Sequence, residues 1–257
     1  MDVLAELVAG AIRLTEGGYY SQGPSSPPPG PPSLAAALRR HLDFPIIAEV
    51  KPRSPTGGEA LLPASQLISC YHERGAAAIS VLTEPRRFGG SLETLAQASA
   101  TGLPALMKDV VVGEEQLRAA ARHGASAVLV IESAFSRRLA EGSSADLVER
   151  AHQLGLEAVL EVSDAAELRS ALSGAADLIG INQRDLRDLS LDLEKGARLL
   201  GQVPRERRGH VIVMSGIRDR SQVERARDAG AGGVLVGTAL ARSRDPAASL
   251  AGLAVPR

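Results

Sequence analysis

The sequence predicts an α/β protein whose parallel strands close into an eight-stranded barrel, and three observations predict it. First, one unit recurs: a helical stretch ends at a glycine, and an apolar, β-branched run soon follows. The joints are 73-ERGAAAISVL-82, 122-RHGASAVLVI-131, 154-LGLEAVLEV-162, 173-SGAADLIGI-181 and 228-DAGAGGVLV-236; glycine ends helices there by taking up the left-handed conformation. Second, the apolar runs do not alternate with polar residues, as befits strands buried on both faces of a parallel sheet. Third, eight such runs, each followed by a helical candidate, fit between residue 45 and residue 257, the span of a (β/α)8 (TIM) barrel. A doubly wound open sheet is the runner-up, but the G-x-G-x-x-G fingerprint is missing after the first strand.

Taken in order, residues 2–15 place Leu4, Leu7, Val8 and Ile12 at helical spacing and predict a short helix. The segment 21-SQGPSSPPPGPP-32 is too rich in Pro, Ser and Gly for helix or sheet and reads as a linker or mobile loop. A second helix, 33-SLAAALRRH-41, follows with Ser33 as its N-cap. Residues 1–44 are thus an N-terminal helical extension with a Pro-rich loop, and residues 45–257 a (β/α)8 barrel domain. The predicted strands are 46–51, 78–83, 104–108, 126–131, 157–162, 178–182, 210–214 and 232–236; the helix after the sixth is weakly marked.

Composition excludes several classes. A net charge of −1 supplies no basic field for nucleic acid. Aromatic residues are 2% and Trp is absent, so base stacking is excluded too. No run of roughly 18 apolar residues suits a membrane span, and the N-terminus shows no signal-peptide pattern. The single cysteine, Cys70, lies in a helical stretch, forms no internal disulfide, and fits the cytoplasm. A monomer or weak homo-oligomer is expected. The five histidines fall in helices or at strand starts without ligand spacing, so neither a metal nor another cofactor is expected.

In such a barrel, function sits at the C-terminal ends of the strands. Polar residues gather there: Glu49, Lys51 and Ser54 after the first strand, Lys108 and Asp109 after the third, Glu161 on the fifth, and Asn182 and Arg184 after the sixth. Ser215-Gly216 and Gly237-Thr238 end the seventh and eighth. Glu49 and Lys51 share one strand face at i and i+2. Charges convergent on one end of a core cost several kcal/mol each unless paired or used. The small residues of the last two loops let an anion approach the backbone, so the ligand is expected to be a phosphorylated small molecule. A Schiff-base role for Lys51 or Lys108 is open, although neighbouring glutamates favour charged lysines and hence acid catalysis.

The runs IIAEVKPRSPTGG, ISVLTEPRRFGGSLETL, PALMKD, GLEAVLEVSDAAEL, DLIGINQRDL and SGIRDRSQVERARDAGAGGVLVGTALARSRDP resemble indole-3-glycerol phosphate synthase of tryptophan biosynthesis, from about Pro45 to Leu250. The resemblance implies a lyase without cofactor. It would close the pyrrole ring of 1-(2-carboxyphenylamino)-1-deoxyribulose 5-phosphate with loss of CO2 and water. It makes Lys108, Lys51, Glu161 and Glu49 catalytic, with Glu161 the acid or base of the later steps and Lys108 favoured as the acid of ring closure, the division of steps between the two lysines being left open. Asn182, Arg184, Ser54 and Phe88 would bind substrate, and Ser215, Gly216, Gly237 and Thr238 its phosphate.

Three residues depart from the pattern. Met214 stands where the family usually has glutamate, Val110 where it has an aromatic, and Glu132 where it is usually apolar. All three are expected near the ring-holding part of the mouth. A paralogue of specialised metabolism, working by acid/base catalysis on another phosphorylated sugar derivative, and a silent phosphate-ligand-binding barrel remain as alternatives.

Overall fold

Parallel pairing of short apolar strands requires a long crossover between each pair, and here every crossover is helical. The computed structural model describes residues 2–23, 30–54 and 57–257. Its strands are β1 (Ile46–Val50), β2 (Ala78–Leu82), β3 (Ala105–Lys108), β4 (Ala127–Ile131), β5 (Glu157–Val162), β6 (Leu178–Asn182), β7 (Val211–Met214) and β8 (Gly233–Val236). They close into one barrel in sequence order, β8 pairing in parallel with β1 through Ile47 and Leu235. Each lies within one residue of its sequence-predicted bounds.

The helices are α1 (Val3–Glu16), α2 (Leu34–Arg40), α3 (Ala64–Glu73), α4 (Leu92–Ser99), α5 (Glu114–Arg122), α6 (Glu132–Ser136), α7 (Ser144–Gln153), α8 (Ala165–Ser173), α9 (Lys195–Leu200), α10 (Arg220–Asp228), α11 (Thr238–Ala241) and α12 (Pro246–Leu253). Ser33 caps α2 by accepting from the Ala36 N–H. The glycine joints behave as expected at Gly75, Gly124, Gly155 and Gly230, all with positive φ. Gly174 does not: it is extended at φ −88° and ψ −176°. There the Ser173 hydroxyl donates to the Arg169 and Ser170 carbonyls, which satisfies the helix end without a left-handed turn. Residues 24–29 of the Pro-rich loop lie outside the described residues.

The extension reaches the C-terminal mouth of the barrel. The α1 residues Leu4, Leu7, Val8, Ala11 and Leu14 are buried in the same core as the strands. Asp2 pairs with Arg137 and Glu6 with Arg87, while the Val3 N–H donates to the Arg187 carbonyl. These three contacts reach the loops after β4, β2 and β6 and lay α1 across the mouth.

Candidate active site

Strand geometry delivers the first pair. Glu49 on β1 and Lys51 just beyond it point to one side, and Lys51 Nζ sits 2.7 Å from Glu49 Oε1. Glu49 is 3% exposed. Burial alone would raise its carboxyl pKa, but the Lys51 and Lys108 ammonium groups outweigh burial and hold it below the usual carboxylate range. The backbone of Gly237 packs against this pair. A Cβ there would fall 2.1 Å from Glu49 Oε1 and 3.0 Å from Lys51 Nζ.

Lys108 ends β3 and makes no ion pair among the described residues. Glu161 on β5 is buried; its Oε1 accepts from Asn182 Nδ2 at 2.8 Å, and its Oε2 has no hydrogen-bond partner among the described residues. Asn182 Oδ1 accepts in turn from the Arg184 N–H at 2.9 Å. Burial, and then the neighbouring Arg218 guanidinium, hold the Arg184 pKa below its usual value. Two guanidiniums close enough to oppose each other form a place that an anion would relieve.

These groups line a single cavity of about 440 Å³ at the C-terminal ends of the strands. It brings together Glu49, Lys51, Ser54, Phe88, Lys108, Glu161, Asn182, Arg184, Met214, Ser215, Gly216, Gly237 and Thr238. Ser215 takes the left-handed conformation at φ 68°, beside Gly216 at φ 80°. A non-glycine residue there stores strain, and Gln183 Nε2 holds the turn by donating to the Ser215 carbonyl at 2.7 Å.

The three departures lie in three different places. Val110 lines a smaller recess that adjoins the cavity and shares Lys108, Glu161, Leu82 and Phe88 with it. Glu132 is a correction: it does not line the cavity or the recess. The chain turns into α6 at Glu132 itself, so its carboxylate leaves the barrel axis and accepts a hydrogen bond from Ser144 Oγ. It faces a separate cavity with Ser133, Ser163 and Glu167, and Ile131 takes the place beside the recess. Met214 does line the central cavity, and Gly180 makes room for it: a Cβ on Gly180 would meet Met214 Cε at 2.6 Å.

Sequence reasoning missed three cations of the lining, Arg87 after β2 and the pair Arg218 and Arg242. The last two follow closely on the Ser215-Gly216 and Gly237-Thr238 pairs, and that proximity was a usable signal. It also missed the apolar roof, where Val3 and Leu7 of α1 meet Leu186, Leu189 and Leu191 of the loop after β6. Among the described residues, no group of three or more His, Cys, Asp or Glu side chains could hold a metal ion.

Asp109, beside Lys108, anchors the turn after β3. It accepts from Thr83 Oγ1 at 2.5 Å, from the Val110 N–H at 2.7 Å and from the Tyr20 hydroxyl at 3.0 Å. Burial nevertheless dominates and pushes its carboxyl up to about 6. An acid raised in the folded state above its unfolded value of ~3.9 contributes stability that is complete below that value and lost as pH rises through 6. The difference of two units amounts to roughly 3 kcal/mol. Asp109→Asn cannot lose it. The melting temperature of the variant, compared with the wild type, is therefore expected to climb between pH 4 and 6.5. A difference that stays flat across that window would exclude this titration.

A family model for indole-3-glycerol phosphate synthase matches residues 25–253. Relatives include indole-3-glycerol phosphate synthase 2 of Streptomyces coelicolor, 44% identical over 86% of this chain and 84% of its own length. The indole-3-glycerol phosphate synthase of a Parafrankia species is 41% identical over 84% and 79%. Among solved structures, the N-acetylmannosamine-6-phosphate 2-epimerase of Clostridium perfringens superposes with a TM-score of 0.63 at 17% identity, over 80% of this chain and 90% of its own. A 3-hexulose-6-phosphate synthase does so at 0.60 and 18%, over 81% and 97%, and at such identities the likeness concerns the fold alone. With a family model covering most of the chain and relatives above 40% identity, the protein belongs to the indole-3-glycerol phosphate synthase family.

Proposed function

We propose that this barrel closes the pyrrole ring of 1-(2-carboxyphenylamino)-1-deoxyribulose 5-phosphate, with loss of CO2 and water. One observation carries the reading: Lys51, Lys108, Glu49 and Glu161 surround one cavity whose lining holds six cationic side chains (Lys51, Arg87, Lys108, Arg184, Arg218, Arg242) and two carboxylates. Such an excess of positive charge suits a ligand with both a phosphate and a carboxylate.

The chemistry follows from which groups are already engaged. Lys51 is committed to Glu49. Lys108 makes no ion pair among the described residues, and its ammonium is the proton donor to the ribulose carbonyl oxygen as the aryl carbon attacks. Loss of CO2 then restores the aromatic ring. Glu161, with one oxygen held by Asn182 and the other without a partner among the described residues, is the group that moves protons in the dehydration. Arg184 and Arg218 take the carboxylate. The phosphate lies against Ser215-Gly216 and Gly237-Thr238, near Arg242. The extension 1–44 caps the barrel 45–257 and contributes Val3 and Leu7 to its roof. We place the protein in the cytoplasm as a monomer or weak homo-oligomer. No helix among the described residues is long and apolar enough to cross a membrane.

Met214 is the observation that favours a paralogue acting on a different phosphorylated sugar derivative. It replaces a group able to carry charge and a proton with one that carries neither. The position of Glu132 outside the cavity removes a second argument for that reading, since its charge does not face the ring. The test is fluorescence of the indole product. The wild type is expected to turn over measurably, and Met214→Glu to raise kcat/KM by about tenfold or more. No product from either protein would overturn the synthase reading in favour of the paralogue.

A further inference from the structure

Val110 is the one departure that changes the shape of the ring end. We propose that it makes the site selective for a substrate whose aromatic ring carries a small apolar substituent, a methyl group or chlorine, at the edge remote from its amine and carboxylate. This rests on the reading under Proposed function and deepens it.

The recess has a volume of about 50 Å³ and its apolar walls include Leu7, Leu82, Phe88, Val110, Leu129 and Ile131. In this measure one water needs ~10–15 Å³ and a benzene-binding cavity has ~150 Å³. The recess is too small to take the ring and large enough to take a group attached to it. Its place in the barrel gives the orientation. Val110 follows β3, and Leu129 and Ile131 belong to β4, while the phosphate loops follow β7 and β8 on the opposite side of the barrel. A ligand with its phosphate at β7 and β8 and its reacting carbon at Lys108 turns the far edge of its ring toward this recess.

The recess cannot close by local adjustment. The Val110 N–H is tied to Asp109 Oδ1 at 2.7 Å, and its carbonyl accepts from the buried Gln116 Nε2 at 2.8 Å. Phe88 is fixed through its N–H, which donates to the Glu84 carboxylate at 3.0 Å; the Arg86 and Arg87 N–H groups donate there as well. The other walls are strand residues, α1 and Leu186 of the loop after β6. Space that the protein cannot collapse into favours whatever fills it. Its polar border carries three carboxyl groups, Glu84, Asp109 and Glu161, against the single ammonium of Lys108, which the reading above commits to the reacting carbonyl, so an anionic substituent is disfavoured there.

The experiment compares kcat/KM for the unsubstituted substrate with versions bearing methyl, chlorine or carboxylate at the two ring carbons farthest from the amine and carboxylate, with products measured by mass. The methyl and chloro substrates are expected to exceed the unsubstituted one by about fourfold, the equivalent of ~0.8 kcal/mol for one buried methylene-sized group. The carboxylated ring is expected to lose tenfold or more. Val110→Phe, which fills the recess, should cut the ratio of methylated to unsubstituted kcat/KM by at least tenfold, and Val110→Ala should raise it. A wild-type ratio of one or below, or a ratio that Val110→Phe leaves unchanged, overturns the proposal. Absence of turnover with every substrate overturns the parent reading instead. In that event, calorimetry with the unreactive analogue in which the ribulose carbonyl is reduced to an alcohol decides the recess: fourfold tighter binding of its methylated form supports it, and equal or weaker binding refutes it.

Discussion

Replacing Lys108 by alanine is expected to lower turnover by about 10²-fold or more, the usual contribution of a positioned general acid, while affinity for the reduced substrate analogue should change only a few-fold. The asymmetry follows from position. Lys108 is one of six cations around the cavity, so ground-state attraction of the anionic ligand survives its loss. No other ammonium can take over its proton transfer, because Lys51 is held 2.7 Å from Glu49. The alanine variant also leaves Glu49 with Lys51 alone to offset its burial, so its carboxyl should move upward and the acid limb of the pH–rate profile with it. A variant with near-normal kcat would remove Lys108 from the mechanism. A variant with normal kcat and greatly raised KM would make it a binding residue.

The barrel was legible because parallel strands buried on both faces leave uninterrupted β-branched runs, as in 127-AVLVI-131 and 178-LIGIN-182. The weak point fell where the physics predicts it. Between β6 and α9 the chain spends residues 183–194 in a loop tied together by Asp185, Arg187, Asp192 and Arg198, and local charge pairs leave no periodic signature.

The site was legible to the extent that it is built from strand ends. Glu49 and Lys51, two apart, had to share a face, and Lys108, Glu161 and Asn182 sit on strands whose ends the apolar pattern marks. Glu132 was misplaced because nothing in IESAFS announces that a helix begins one residue after the strand. A single residue of continued strand would have aimed it elsewhere. The roof was illegible for a different reason. Leu7 and Leu186 are ordinary apolar residues far apart in sequence, and only the tertiary contacts of Asp2, Val3 and Glu6 bring α1 over the cavity.

Gly237→Ala is the second large effect, and it is unusual in acting through one methyl group. The new Cβ would lie 2.1 Å from Glu49 Oε1, 2.9 Å from Glu49 Cδ and 3.0 Å from Lys51 Nζ. Distances that short force a shift, and β8 has little freedom, because the β1–β8 ladder is part of the closed barrel. The carboxylate must yield. Its departure breaks the pair with Lys51 and turns a buried charge away from the two ammonium groups that keep it ionised. We expect kcat/KM to fall by about 10²-fold or more and stability by roughly 1–3 kcal/mol, as for overpacking of a filled core. Affinity for inorganic phosphate should weaken as well, since Gly237 borders the cavity beside Thr238. A double-mutant cycle identifies the cause. With Glu49→Ala in the background no carboxylate opposes the new methyl group, so adding Gly237→Ala should cost far less than in the wild type, and the two losses should be strongly non-additive. Additive losses would show that the methyl group acts on the β8 turn itself, and near-wild-type activity of the single variant would show that the Glu49–Lys51 pair tolerates displacement.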